Sequence, residues 1–242
     1  MAGNAELLST MKVLVADDEP FSLSIVVRMV RDLGAAEIMQ ASNGFQALDV
    51  LNVVKLGLAF AVIDFNMPEQ NGLQVLKLIR TGKTGCPRDL KVLMLTGNSD
   101  FGLVGAAMAL DVDAFIIKPI SVSALSQRLT KVLPENRELK SIEHYETVNI
   151  DEVAKRLLSR KPIGTQKPKA DPKKPEPFGL KKRTELLQPG AVLSEEIRSP
   201  QGELLLGKAT VLTDRLIRRL NELKGAINLE YVYIFPENKE EQ

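Results

Sequence analysis

Three carboxylates, Asp17, Asp18 and Asp64, stand where apolar runs end, and the chain supplies a hydroxyl and an ammonium at equivalent places, Thr96 and Lys118. The runs are KVLVA before Asp17, AVI before Asp64, KVLML before Thr96 and AFII before Lys118. A charge that closes a buried-type segment, as in AVIDFNMPEQNG over 61–72, needs a partner or a task. Clustered aspartate oxygens suit Mg²⁺, which works with one or two carboxylates, waters and a phosphate. A phosphoryl group would complete that site. Asp64 could then attack phosphorus as a nucleophile, the metal and Lys118 could neutralise the equatorial oxygens, and Thr96 could donate a hydrogen bond to one of them. Each residue alone also has a plainer use. Asp18 and Glu19 before Pro20 suit a helix start, with Pro in the first turn and acids against the dipole. Asp64 could cap a loop, Thr96 satisfy a strand end and Lys118 lie at the surface. Their joint placement at the ends of strand-like runs favours the shared site.

The elements that would position these groups follow from periodicity. Apolar runs at 12–16, 37–41, 60–64, 91–95 and 114–118 alternate with segments of helical spacing, which predicts five strands with four helices between them. Phe21, Ile25, Val26, Met29, Val30 and Leu33 form one apolar stripe ended by Gly34. Leu73, Leu76 and Ile79 repeat the pattern, as do Leu125, Leu129 and Val132. Strands this apolar, alternating with helices, predict a parallel sheet covered on both faces and one α/β domain over 11–133. Ligands of such sheets bind beyond the carboxyl ends of the strands, which is where the five candidate residues fall.

The 242-residue chain has a formal net charge of +1, so it carries no global pull toward nucleic acid or anionic lipid. One cysteine, Cys86, cannot close an internal disulfide and has no adjacent His or acid, so it reads as a bystander in a reducing compartment. MAGNAELLST lacks the pattern of a secretion signal and no run has the length of a membrane span, so the expectation is a soluble cytoplasmic protein without a membrane partner.

VADDEP, VIDFNMPEQNG, MLTG and AFIIKP together resemble the receiver domain of two-component response regulators, over about the first half of the chain. The resemblance implies a flavodoxin-like five-stranded parallel sheet. It makes Asp64 the phosphoacceptor and Asp17 and Asp18 the acidic pair that holds Mg²⁺ with Asp64 and the backbone carbonyl of Asn66. Thr96 and Lys118 would contact the phosphoryl group. Phe115 takes the place of the family's aromatic switch residue, acting with Thr96, although an aromatic in a strand serves equally as core. Met67, Pro68 and Gly72 match the turn after the phosphoacceptor. The implied partners are a sensor histidine kinase or phosphotransfer protein, a downstream protein and a second copy of the chain. One departure is LDVDAF, where the family has Gly-Ala before the fifth strand. Asp111 can visit the left-handed region, so the turn is expected to survive in a stiffer form.

Beyond the receiver, residues 134–160 read as a bridging element with Asp151 capping a short helix, and 161–183, rich in Lys and Pro, as a flexible basic linker. Over 184–235 a smaller α+β module is expected: AVLSEEI, SPQG and ELLLGK as a hairpin, TDRLIRRLNELKG as a helix and LEYVYIF as a closing strand. This segment resembles the region that precedes HD-GYP phosphodiesterase domains. The catalytic part of those enzymes is missing, and the chain's one histidine, His144, lies outside the module, so no enzyme is expected. Arg215, Arg218 and Arg219 read as a solvated helix face, with neither a helix-turn-helix nor the full PilZ-type motif around them. The expectation is a response regulator controlled by phosphorylation that signals through protein contacts of its C-terminal module. Its alternative, not favoured by the sequence, is a tail that binds nucleic acid or a cyclic dinucleotide.

Overall fold

Successive side chains of a strand point to opposite sheet faces, so a strand apolar at every position requires cover on both. The computed structural model supplies that cover. It describes residues 8–53, 57–97, 101–150, 179–200, 202, 204–225 and 227–236. The elements of the first unit run β1 (Lys12–Ala16), α1 (Pro20–Asp32), β2 (Glu37–Ala41), α2 (Gly44–Val53), β3 (Leu58–Asp64), α3 (Gly72–Arg80), β4 (Lys91–Thr96), α4 (Phe101–Ala109), β5 (Ala114–Ile117) and α5 (Val122–Val132). The five strands form one parallel sheet in the order β2-β1-β3-β4-β5, the flavodoxin-like arrangement. Val13, Val15, Phe60, Val62, Leu93 and Leu95 pack under α1 and α5 with Val26, Val30, Leu125 and Leu129. The intervening residues Leu14, Ala61, Ile63, Val92 and Met94 are equally buried.

The apolar face of α1 differs from the expected stripe. Leu23, Val26, Val27 and Val30 lie within one arc at 100° per residue, and Phe21, on the opposite side of the helix, is 71% exposed. The turn before β5 forms as expected, with Asp111 at φ 52°.

Residues 134–150, expected to bridge, instead pack against the first unit, which extends to Ile150. The cause is a set of polar and apolar anchors that the short helix α6 (Ile142–Glu146) completes. Tyr145 is fully buried, its hydroxyl donating to Asp111 Oδ2 at 2.8 Å and accepting from Lys140 N–H at 3.0 Å. Lys77 Nζ on α3 donates to the carbonyls of Glu146 and Val148 at 2.9 and 2.8 Å. Under this strap Asp113 meets two guanidiniums, Arg80 at 2.9 Å and Arg137 at 3.1 Å, and accepts from Val92 N–H at 2.8 Å. Burial lowers the Arg80 pKa to about 10, partly offset by Asp113, so the guanidinium stays charged.

The second unit contains β6 (Leu180–Arg183), β7 (Ile197–Arg198), β8 (Leu204–Leu206), α7 (Asp214–Leu223) and β9 (Tyr231–Ile234). β6 and β9 pair antiparallel, as do β7 and β8. Leu180–Arg183 is therefore strand where the basic linker was expected to continue, because its backbone is paired along β9. Residues 161–178 of that linker, and Asp151, lie outside the described residues. Thr213 caps α7 by accepting from Leu216 N–H. Leu193, Leu212, Leu220 and Leu223 fill a small core. Arg219, expected on a solvated face, is buried with its guanidinium 3.1 Å from Glu222, one turn along the helix. Among the described residues no helix is long and apolar enough to cross a membrane.

Candidate functional site

The parallel sheet delivers the ends of β1, β3, β4 and β5 to one rim. Asp17 follows β1, Asp64 closes β3, Thr96 closes β4 and Lys118 follows β5. Asp17 is fully buried and fully engaged. Its Oδ1 accepts from Glu19 N–H at 3.0 Å, and its Oδ2 accepts from the Ser22 hydroxyl at 2.5 Å and from Lys118 Nζ at 3.0 Å. Asp64 is 4% exposed, with Oδ1 2.6 Å from Lys118 Nζ and Oδ2 accepting from Asn66 N–H at 2.9 Å. One ammonium thus bridges two carboxylates that would otherwise repel each other.

Burial raises the Asp64 carboxyl above its ordinary value, with Lys118 opposing and Asp17 adding to the rise. Burial would lower Lys118, but the hydrogen bond and charge of Asp64, then those of Asp17, outweigh it and hold the ammonium above its usual range. Within the pair each partner favours the charged form of the other, which for Asp64 opposes the effect of burial.

Asp18 is exposed at the same rim. Asp17, Asp18 and Asp64 each offer an oxygen, all within 4.8 Å of one another. Hard oxygen donors at that spacing, open to solvent through Asp18, fit a divalent cation such as Mg²⁺. Asn66 is exposed and contributes its N–H to Asp64.

Local structure holds these groups in place. Glu19, not Asp18, caps α1, its carboxylate accepting from the N–H groups of Phe21 and Ser22. After Asp64, Phe65 is buried and its carbonyl accepts from Gly72 N–H at 3.1 Å. Asn71 and Gln74 then form a capping box that starts α3. A Cβ on Gly72 would stand 2.2 Å from the Asp64 carbonyl oxygen. Gly72→Ala should therefore push α3 away from the site and cost about 2 kcal/mol of stability from overpacking, read as a lower urea midpoint with an unchanged slope.

Thr96 is buried and its hydroxyl donates to the Gly97 carbonyl at 3.2 Å. Reaching a phosphoryl oxygen requires that hydroxyl to rotate. Phe115 is 1% exposed and stacks with Phe65, ring centres 6.2 Å apart and planes 22° apart. Its ring lies in the core in this structure, where an aromatic side chain without a hydroxyl packs well. Cys86 is buried, with Sγ 3.2 Å from the Thr84 hydroxyl, and burial raises its thiol pKa. Ser22 and Phe65 are the site residues that sequence reasoning passed over.

Residues 13–130 match the family model described as the response regulator receiver domain. The chemotaxis protein CheY-3 of Vibrio cholerae is 34% identical over 128 residues, 53% of this chain and 95% of that protein. A CheY homolog of Campylobacter jejuni is 31% identical over 123 residues, 51% of this chain and 92% of that protein. A solved structure of Vibrio cholerae CheY4 is 26% identical, covers 51% of this chain and 99% of that one, and superposes with a TM-score of 0.45. With strand-end acids, a bridging lysine and relatives matched over nearly their whole length, the chain belongs, through residues 13–130, to the response regulator receiver domain family.

Proposed function

We infer that this chain is a response regulator of a two-component system that accepts a phosphoryl group on Asp64 and changes its contacts in consequence. The observation that carries the reading is Lys118 Nζ, 2.6 Å from Asp64 and 3.0 Å from Asp17, beside three acids grouped within 4.8 Å. Receiver domains bind Mg²⁺ at this acidic site, where Asp17, Asp18, Asp64 and the Asn66 carbonyl would hold it. When bound, the ion offsets the charge that the phosphoryl oxygens add to three carboxylates.

The chain's own residues do the rest. A lone pair of the Asp64 carboxylate forms the new O–P bond as the donor's bond to phosphorus breaks, and the donor group leaves with that electron pair. Lys118, already beside Asp64, turns its ammonium to the phosphoryl oxygens. Thr96 exchanges the Gly97 carbonyl for one of them. Phe115, held inside against Phe65, keeps the volume behind Thr96 filled, so the response begins as the movement of Thr96 and not as an exposed ring turning in. A sensor histidine kinase or phosphotransfer protein supplies the phosphoryl group.

The C-terminal unit is the output element and acts through contacts of its own surface with a downstream protein, alone or as part of a dimer. Its likeness to the region before HD-GYP domains supports a binding role without hydrolysis, as the chain's one histidine, His144, stands in the first unit. A second reading, in which this unit binds nucleic acid or a cyclic dinucleotide, is favoured by one observation, the aromatic and basic face of β6 and β9. The receiver assignment is tested by incubating the protein with acetyl phosphate and Mg²⁺. Intact mass should rise by one phosphoryl group and the gain should vanish with EDTA; a gain insensitive to EDTA would remove the acidic cluster from the reaction.

A further inference from the structure

Strand β9 and the residue after it carry three rings at alternate positions, Tyr231, Tyr233 and Phe235, while Val232 and Ile234 between them are each 2% exposed. The rings therefore share the outer face of the strand. β6 lies alongside with Lys181 opposite Tyr233 and Arg183 opposite Tyr231. Both cations stand on the same face as the rings: Lys181 Nζ is 4.5 Å from the Tyr231 ring centre and the Arg183 guanidinium 5.7 Å. Lys208 Nζ, from the turn after β8, is 5.9 Å from the Phe235 ring centre. Tyr231 and the three cations are exposed, and Tyr233 and Phe235 are half-buried.

Cations over rings stabilise a ribbon by themselves, typically by about 0.5–1 kcal/mol at exposed sites. That explains any one pair. It does not explain a row of three partly exposed rings whose repeat, two strand residues or roughly 7 Å, carries positive charge at both margins. Flat apolar groups and anions in alternation are what complement such a surface, and single-stranded nucleic acid presents both. Bases stack on aromatic side chains whatever their sequence, while Lys and Arg track the phosphates. An acidic peptide would satisfy the cations and leave the rings without planar partners. Arg183 is engaged by Tyr231 and, to a lesser extent, by Glu185 and Glu230, so attraction for phosphate concentrates at Lys181 and Lys208.

We propose that the outer face of β6 and β9 binds single-stranded nucleic acid, with bases against Tyr233 and Phe235 and phosphates at Lys181 and Lys208. This assigns a ligand to the unit read as the output, and its test does not depend on Asp64, because binding is measured on the unphosphorylated full chain. The probe is a fluorescent mixed-sequence single strand of about 12 nucleotides, titrated by anisotropy. Saturable binding is expected at about 50 mM salt and should weaken at about 200 mM. Tyr233→Leu and Lys181→Glu should each weaken it about tenfold, the tyrosine change through lost stacking. Circular dichroism of both variants should match the unmodified protein; a variant that fails this is replaced by Lys208→Glu, which lies outside the strands. Inorganic polyphosphate at equal charge should compete poorly. No saturable binding, binding unchanged in the folded variants, or full displacement by polyphosphate would each overturn the assignment, the last two by placing the interaction in the lysines of 161–174 or in charge alone.

Discussion

Asp64→Asn is expected to take up no phosphoryl group from acetyl phosphate under conditions in which the unmodified chain should gain one, and at neutral pH without metal it should be the more stable protein. Both outcomes come from the same burial. The carboxylate is 4% exposed, and loss of water raises its pKa although Lys118 stands 2.6 Å away. A carboxyl whose folded pKa lies above its unfolded value of 3.8 adds stability below that value and loses it as pH rises through the folded pKa. Above that window the charged form costs stability, so the neutral amide wins at pH 7 and its advantage shrinks on acidification. Intact mass and thermal unfolding from about pH 4 to pH 7.5 read both effects. An Asp64→Asn protein that is still labelled would place the acceptor elsewhere. One that is less stable at neutral pH would mean that contact with Lys118 outweighs the cost of burial. Lys118→Ala, by contrast, should lose stability, since it leaves Asp17 and Asp64 buried side by side without the shared cation.

The strand-end residues were legible because a charged or polar residue closes an apolar run and four such endings converge once the sheet order is assumed. Asp17, Asp64, Thr96 and Lys118 needed only the continuous apolar runs and the rule that ligands meet parallel sheets at one rim. Phase along a helix was less legible. Phe21 was assigned to the buried stripe by its apolarity, yet Pro20 and the Glu19 cap set where α1 begins, and Phe21 falls opposite Val26, Val27 and Val30. Buried charge was not legible at all. Arg80, Asp113 and Arg137 are separated by stretches of 33 and 24 residues, and each alone reads as surface. Only the fold brings them together. Arg219 was missed for the same reason, its buried partner Glu222 being indistinguishable in sequence from a solvent-facing helix pair.

The C-terminal aromatic row shows a further limit. Tyr231, Tyr233 and Phe235 lie in a segment read correctly as a closing strand, but a strand can turn its rings inward or outward. The choice falls to the aliphatic residues between them. Val232 and Ile234, each 2% exposed, take the interior, and the rings are left on the other side of the strand. Pairing of Leu180–Arg183 with that strand then brings cations to the rings, which no local pattern in a Lys- and Pro-rich stretch announces.

Asp113→Ala is expected to be the most destabilising change in the first unit, by about 3–5 kcal/mol, because it removes one partner of a buried ionic group and leaves the other charges in place. The side chain is 1% exposed, as is that of Arg137, and that of Arg80 is 0% exposed. Without the carboxylate, two guanidiniums face each other in the interior, and the Val92 N–H loses its acceptor. Asp113→Asn keeps an oxygen for Val92 but not the charge, so its loss should be smaller. Tyr145→Phe gives the scale for a neutral contact in the same strap. It removes the hydroxyl that donates to Asp111 Oδ2 at 2.8 Å, at a cost of about 1 kcal/mol. Asp111 keeps Lys140 at 3.5 Å, and its carbonyl still accepts from Arg137 at 2.7 Å. Urea unfolding of the three variants should rank them Asp113→Ala, Asp113→Asn, Tyr145→Phe from largest to smallest loss. Because Arg137 belongs to the segment after α5, the Asp113 variants should also expose residues 134–150 to amide exchange before the sheet opens. Equal protection of that strap in Asp113→Ala and the unmodified chain would show that Tyr145 and the Lys77 contacts hold it without the buried ions.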